Sequence, residues 1–290
     1  MSNFTQVFYE DFNGNSLDRS IWKSLYSGQH GNGMFRWDPS QLEMGDGKLT
    51  IATERDGGSW MAGGLSTIPV GQTYGSYEFH ARMDAGKGTS AVILLWPSNN
   101  QWTDEVDIVE AHRGDRSGFA FVNHGDPMVT NYIDLDLTQW HTFRLDWTPG
   151  DLRLFVNGNQ VSQITQDVPS QPMSLSMQTQ VHAAWENWFG GAPDGSTPSR
   201  VELEVDWVRV SSYTPGSGDG RGGQVGGMSV GQDRGTNQDG GDWLAKAYAY
   251  LERDGFWEGS WRNQVSSGQI TVEDVAGRLQ AGLGNQDLLW

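Results

Sequence analysis

Tyr77-Glu78-Phe79-His80-Ala81-Arg82-Met83 alternates apolar and polar side chains at every step. In an extended chain a period of two sends successive side chains to opposite faces, so this stretch predicts a strand with one face buried and the other exposed or lining a groove. The same pattern continues in both directions. Short β-rich segments with turn punctuation run from Phe8 to about Val210, among them KLTIATE (48–54), SAVILLW (90–96), WHTFRLDW (140–147), LRLFVNG (152–158) and VELEVDWVRV (201–210). No long helical period interrupts them, and so many strands predict an all-β sandwich or barrel over residues 1–213.

Past residue 213 the composition changes. Residues 214–241 are Gly-rich and almost free of large apolar groups, which predicts a flexible linker. The Gly and Asp content there invites a calcium-binding nonapeptide repeat, but no such repeat recurs in register. Beyond it, Asp242 can cap a helix with Trp243, Leu244, Ala247, Tyr248 and Leu251 on one face, and Gly255 is placed to end it. Thr271-Val272-Glu273-Asp274 opens a second helical pattern, so 242–290 reads as a small helical module.

Bulk composition narrows the partners. A formal net charge of -17 repels phosphate backbones and anionic lipid head groups, which excludes the usual electrostatics of nucleic-acid and membrane-surface binding. The chain has 14 Trp, and flat aromatic faces suit the stacking of sugar rings as well as core packing. With no Cys there is no disulfide, thiolate nucleophile or thiolate zinc site. No run approaches the roughly 20 apolar residues of a membrane span, and the N-terminal MSNFTQVFYEDF lacks a basic and apolar signal pattern. A monomer acting on a neutral or weakly charged substrate is expected.

The chemistry concentrates in Glu105-Val106-Asp107-Ile108-Val109-Glu110. Cleaving a glycosidic bond takes one carboxylic acid to protonate the leaving oxygen and one carboxylate to attack the anomeric carbon, both in one groove. On a regular strand Glu105 and Asp107 share a face but Glu110 points to the other, so the pairing requires a β-bulge near Ile108-Val109. Even then the two Cα atoms stand roughly 13 Å apart, and the side chains must lean together to reach the roughly 5–5.5 Å of a retaining pair. Asp107, between them, can hydrogen-bond the nucleophile and help keep one carboxyl protonated beside an ionised one. Trp102, just ahead, suits a sugar platform, and Trp96 closes the apolar run Val92–Trp96 on the neighbouring strand.

This E-x-D-x-x-E motif resembles glycoside hydrolase family 16 in its bulged, laminarinase-like form. Other segments agree in order: Tyr9-Glu10-Asp11-Phe12-Asn13-Gly14 with Leu17-Asp18 and Trp22, Tyr74-Gly75-Ser76-Tyr77-Glu78, His141-Thr142-Phe143 with Trp147, Val156-Asn157-Gly158, and Val205–Val210. Together they cover about residues 6–212. The resemblance implies a jelly-roll sandwich of two curved antiparallel sheets with a glycan cleft on the concave face, Glu105 as nucleophile, Glu110 as acid/base and Asp107 assisting. It also implies His124 as a cleft histidine, with a structural role in the turn before Gly125 as the alternative. Gln178 and Gln180 would share a cleft-crossing strand face, and Trp185 and Trp37 would be stacking platforms or core residues. On the convex side Glu10, Gly47 and Asp206 would hold a structural Ca2+, while catalysis itself needs no cofactor.

The expected activity is therefore secreted, endo-acting, retaining hydrolysis of a β-glucan or related exopolysaccharide, with export that needs no cleaved N-terminal signal if none was removed. A transglycosylase of the same family and a non-catalytic glycan-binding module on the same fold are the alternatives.

Overall fold

A computed structural model describes residues 3–67, 71–98 and 102–215 of the protein. A first compact unit spans Met1–Gly216. The predicted helical module 242–290, and all of the predicted linker beyond residue 215, lie outside the described residues. Among the described residues the only helices are three short 3-10 turns, and none is long and apolar enough to cross a membrane.

Two sheets make the sandwich. One has seven strands in the order Val129–Asp134, Gly118–Asn123, Val106–Ala111, Thr89–Pro97, Met173–Val181, Gly64–Ser66, Ser24–Leu25, with every neighbouring pair antiparallel. The other has eleven, built around Arg200–Tyr213, which pairs with Gly75–Met83, Lys48–Asp56 and Phe4–Glu10. Antiparallel pairing dominates there too, as expected, with Phe35–Trp37 running parallel to Ser59–Ala62 as a local exception.

The alternation read from the sequence decides which face is buried. Tyr77, Phe79, Ala81 and Met83 enter the core, while Glu78, His80 and Arg82 face out and are half-buried at most. Across from them, Ala91, Ile93 and Leu95 of the other sheet supply the opposing layer, with Val106, Ile108, Val109 and Ala111 beside them. Burying a side chain of this size stabilises the fold by about 1.5–3 kcal/mol, so the strongly periodic strands fix the orientation of both sheets. The even-numbered positions of Thr89–Pro97, Ser90, Val92, Leu94 and Trp96, are thereby turned to the far side of the seven-stranded sheet. Asn157 and Gly158, both with positive φ, form the two-residue hairpin between Asp151–Val156 and Asn159–Ile164.

Candidate active site

The acidic stretch enters the seven-stranded sheet from the 3-10 turn Trp102–Asp104, where the Trp102 carbonyl accepts from Glu105 N at 3.0 Å. The strand proper begins at Val106, one residue later than the sequence suggests. Glu105 nevertheless continues the ladder, because its carbonyl accepts from His124 N at 3.0 Å.

Register settles where the carboxylates point. Ile93 stands opposite Val109 and Leu94 opposite Asp107, which leaves Ile108 without a counterpart. On the other flank Asp107 faces Val122 and Glu110 faces Ala120, so two residues meet the single Phe121. This is a β-bulge at Ile108-Val109, where the spacing demanded one. Both bulged side chains are fully buried in the core, and the bulge returns Glu110 to the outer face with Asp107.

Rows of side chains run from these acids across the sheet. Beside Glu110 come Val92, Gln178 and Gly64; beside Asp107 come Leu94, Ser176 and Ser66. Gln180 pairs with Ser90, and Trp96 with Ser174. Both glutamines are half-buried on this outer face, as the alternation implies. Gly64 is required here, since a Cβ on it would collide with the Tyr26 ring.

Asp107 is buried, and its Oδ2 meets His124 Nε2 at 2.8 Å. The same nitrogen lies 3.8 Å from Glu105 Oε2. His124 therefore reaches into the acidic cluster as well as forming the turn before Gly125, and the Trp102 ring packs edge-on against it at 5.1 Å. Among the described residues Glu105, Asp107 and His124 are also the one group of three such donors compact enough to hold a metal ion, with ligand atoms within 4.8 Å of one another.

Glu110 is electrostatically distinct. Burial, and then the negative charge of Asp107, push its carboxyl up to about 8, while a hydrogen bond from the Trp188 ring works in the opposite direction. Near neutral pH this carboxyl holds a proton and can donate it. Tyr26, which follows the edge strand Ser24–Leu25, has its hydroxyl bonded to Ser176 and Ser66; burial first, with the Glu105 charge adding to it, pushes it up to about 12.

The family model for glycosyl hydrolases family 16 matches residues 30–209. The chain belongs to glycosyl hydrolase family 16. A β-glucanase of Acetivibrio thermocellus is 29% identical over 179 residues, 58% of this chain and 52% of that protein. One from Brevibacillus brevis is 28% identical over 222 residues, 72% of this chain and 82% of its own. The chain thus spans about half the length of the first relative and most of the second. The solved endo-β-1,3-glucanase of Pyrococcus furiosus superposes with a TM-score of 0.65 at 21% identity, covering 73% of this chain and 96% of that one. The Rhodothermus marinus laminarinase gives 0.63 at 24%, covering 73% and 98%. At these identities the structures establish the shared jelly-roll fold.

Against this family 16 frame the aromatic expectations divide. Trp102 is 37% and Trp185 70% exposed, and Trp96 is half-buried on the outer sheet face that also carries Gln178 and Gln180. Trp37 does not serve as an open platform: it is 5% exposed, with its ring packed edge-on against Tyr26, His30 and Phe35. The oxygen set expected for Ca2+ has the right chemistry, carboxylates and a backbone carbonyl. Glu10 Oε1 accepts from Phe12 N at 3.1 Å, and Asn13 Oδ1 lies 3.0 Å from where a Cβ on Gly47 would stand. Asp206, however, directs Oδ2 to His80 Nδ1 at 2.9 Å, so its carboxylate is shared with a competing partner.

The structure adds residues that the family 16 motifs did not single out. Trp188 stacks on His112 at 4.5 Å and contacts Tyr132 at 5.7 Å, forming an aromatic wall beside Glu110. Its short 3-10 turn comes after a polar anchor: His182 Nε2 lies 2.7 Å from Ser90 Oγ, Phe189 stacks on the His182 ring, and Glu186 accepts from Asn32 Nδ2 at 3.1 Å. Burial depresses His182 to about 4, so it stays neutral. The alternation Gln178, Gln180, His182 could have revealed His182; nothing in the local sequence marks Trp188, which reaches Glu110 from a loop.

Proposed function

We propose that this family 16 chain is an endo-acting, retaining β-glycanase whose substrate is a β-glucan or a related exopolysaccharide. The observation that carries the reading is the bulge at Ile108-Val109, which returns the half-buried Glu110 to the sheet face of Asp107, with Glu105 beside them 3.8 Å from the shared His124. In the first step Glu110 gives its proton to the leaving glycosidic oxygen while a Glu105 oxygen bonds to the anomeric carbon and the C–O bond breaks. In the second, the ionised Glu110 takes a proton from water, the water oxygen bonds to the anomeric carbon, and the Glu105 ester bond breaks. Burial first, and then the charge of Asp107, which is bonded to His124, keep Glu110 protonated before the first step. The names of the relatives support the substrate class, since those cited are β-glucanases and another, from Rhizobium meliloti, is an endo-1,3-1,4-β-glycanase at 24% identity.

The test is digestion of laminarin, mixed-linkage glucan and bacterial exopolysaccharides, with the first-formed anomer followed by NMR. Release of the β-anomer of internal-cleavage products supports the reading, with loss of turnover in Glu105→Gln; the α-anomer, or undiminished turnover in that variant, overturns it. A secreted monomer is part of the same proposal, to be sought in the culture medium and by size-exclusion chromatography. The structural Ca2+ at Glu10, Gly47 and Asp206 is part of the same proposal.

A further inference from the structure

On the side of the sandwich away from the cleft, four aromatic rings form an unbroken line across the eleven-stranded sheet, on three adjacent strands and the lead-in to a fourth. Tyr9 lies 6.1 Å from Trp207, Trp207 lies 6.2 Å from His80, and His80 lies 5.0 Å from Trp140. Neighbouring planes differ by 35°, 27° and 37°, so the line turns gradually with the sheet. None of the four rings belongs to the core, which takes Phe79, Ala81, Val208 and Val210 from these strands; Tyr9 is 44% and Trp140 37% exposed. Contiguous exposed aromatic surface, unlike apolar residues scattered singly, marks an interaction site.

The polar groups of the strip indicate the occupant. Arg209 pairs with Glu78 at 2.8 Å, His80 with Asp206 at 2.9 Å, and Arg82 with Glu204. The two guanidinium groups are matched by carboxylates and pack on the rings themselves, Arg209 5.4 Å from the Tyr9 centroid and 5.3 Å from that of Trp207 and Arg82 5.9 Å from that of Trp140, so the strip offers fixed donors beside its aromatic surface. A second copy of a chain with a net charge of -17 is repelled. A neutral polyhydroxyl chain matches instead: its C–H faces lie on the rings, and its hydroxyls reach the carboxylates and guanidinium groups.

We propose that the Tyr9–Trp207–His80–Trp140 strip is a second, non-catalytic glycan-binding surface that holds a neutral β-glucan chain on the side away from the cleft. The inference rests on the proposed substrate class, and the two can fail separately. The test uses the full chain carrying Glu105→Gln, so that the polymer survives, with insoluble β-1,3-glucan particles and soluble mixed-linkage β-glucan as probes. Trp140→Ala, Tyr9→Ala and the pair Trp140→Ala with Trp207→Ala are compared, with thermal melts to confirm folding. Trp140 and Tyr9 are exposed enough to be truncated without opening the core. Polymer binding is expected to weaken by about tenfold or more in the double variant. With Glu105 intact, kcat/KM on short glucan oligosaccharides is expected to stay within about twofold, because the strip does not line the cleft. Unchanged polymer binding in a folded double variant, or no polymer binding by the parent, overturns the strip. If the enzyme hydrolyses no β-glucan at all, the cleft reading fails, and strip-dependent binding to the same polymers would still stand.

Discussion

Asp107 and Glu110 present their carboxyl groups to one face of the seven-stranded sheet, although three steps separate them, because Ile108 has no partner on the neighbouring strand. Strand parity can be tested in two grades. Deleting Ile108 alone converts the stretch to a regular strand in which Glu110 is two steps from Asp107 and remains on the cleft face. Deleting Ile108 and Val109 together makes the separation one step and turns Glu110 into the core. The single deletion should retain measurable glucan hydrolysis at a stability loss of roughly 2–5 kcal/mol, typical of removing a large buried side chain. The double deletion should abolish activity. Equal loss in two folded variants would show that parity is not what places Glu110.

The protonated state of Glu110 also leaves a mark on stability. Its native carboxyl titrates at about 8 against an ordinary 4.5, so between those values the folded protein binds a proton that the unfolded chain releases. Folding stability must therefore fall as pH rises through this window. Glu110→Gln removes the titration, and the stability difference between variant and parent should grow from pH 4.5 to 8, with a ceiling of roughly 4–5 kcal/mol. Denaturant melts at several pH values measure this directly. A difference that does not change with pH would place the Glu110 carboxyl in water rather than in a desolvated site.

Catalysis should report the same group. With Glu110 as the proposed acid of the first step, kcat/KM should decline on the alkaline side as its proton is lost near pH 8. Burial is the larger cause of that value and the Asp107 charge the second. Asp107→Asn keeps the shape while removing the charge, so the alkaline limb should move to lower pH without falling to the position of a solvated glutamate. An unmoved limb would rule out Asp107 as a source of the shift.

Trp188 predicts the opposite sign. Its ring N–H stabilises the charged form of Glu110, so Trp188→Phe should move the alkaline limb to higher pH while leaving an aromatic ring against His112. A downward move, or a change in KM with no change in the pH profile, would show that the residue serves only as a surface for substrate.

The features legible in the sequence are those whose physics is local. Side chains with strict alternation, such as Tyr77 to Met83, decide their face by burial alone, and both sheets can be oriented from them. The bulge is legible because the chemistry demands Glu110 on a face that the parity of a regular strand forbids. The expectation of Trp37 as a platform fails because exposure of an aromatic depends on neighbours such as Tyr26 and His30, which come from separate segments. Trp188 has no sequence signal for the same reason: its contact with Glu110 depends on the loop that His182, Ser90, Glu186 and Asn32 hold in place. The parallel pairing of Phe35–Trp37 with Ser59–Ala62 likewise has no local signature.

The proposed Ca2+ site carries a prediction about competition. Asp206 Oδ2 is bonded to His80 Nδ1, whereas a bound cation would draw the Asp206 carboxylate toward the oxygens of Glu10 and Gly47. Any cation that binds the folded state alone raises stability by RT ln(1 + [L]/Kd), about 2.7 kcal/mol at a hundredfold excess over Kd. Thermal melts should therefore shift upward with Ca2+ and downward with a chelator, and Asp206→Ala should remove the response. Replacing the competitor, His80→Ala, should strengthen Ca2+ binding measured by calorimetry, because Asp206 no longer has to leave a hydrogen bond. Melts insensitive to both Ca2+ and chelator would mean that Asp206 serves His80 alone.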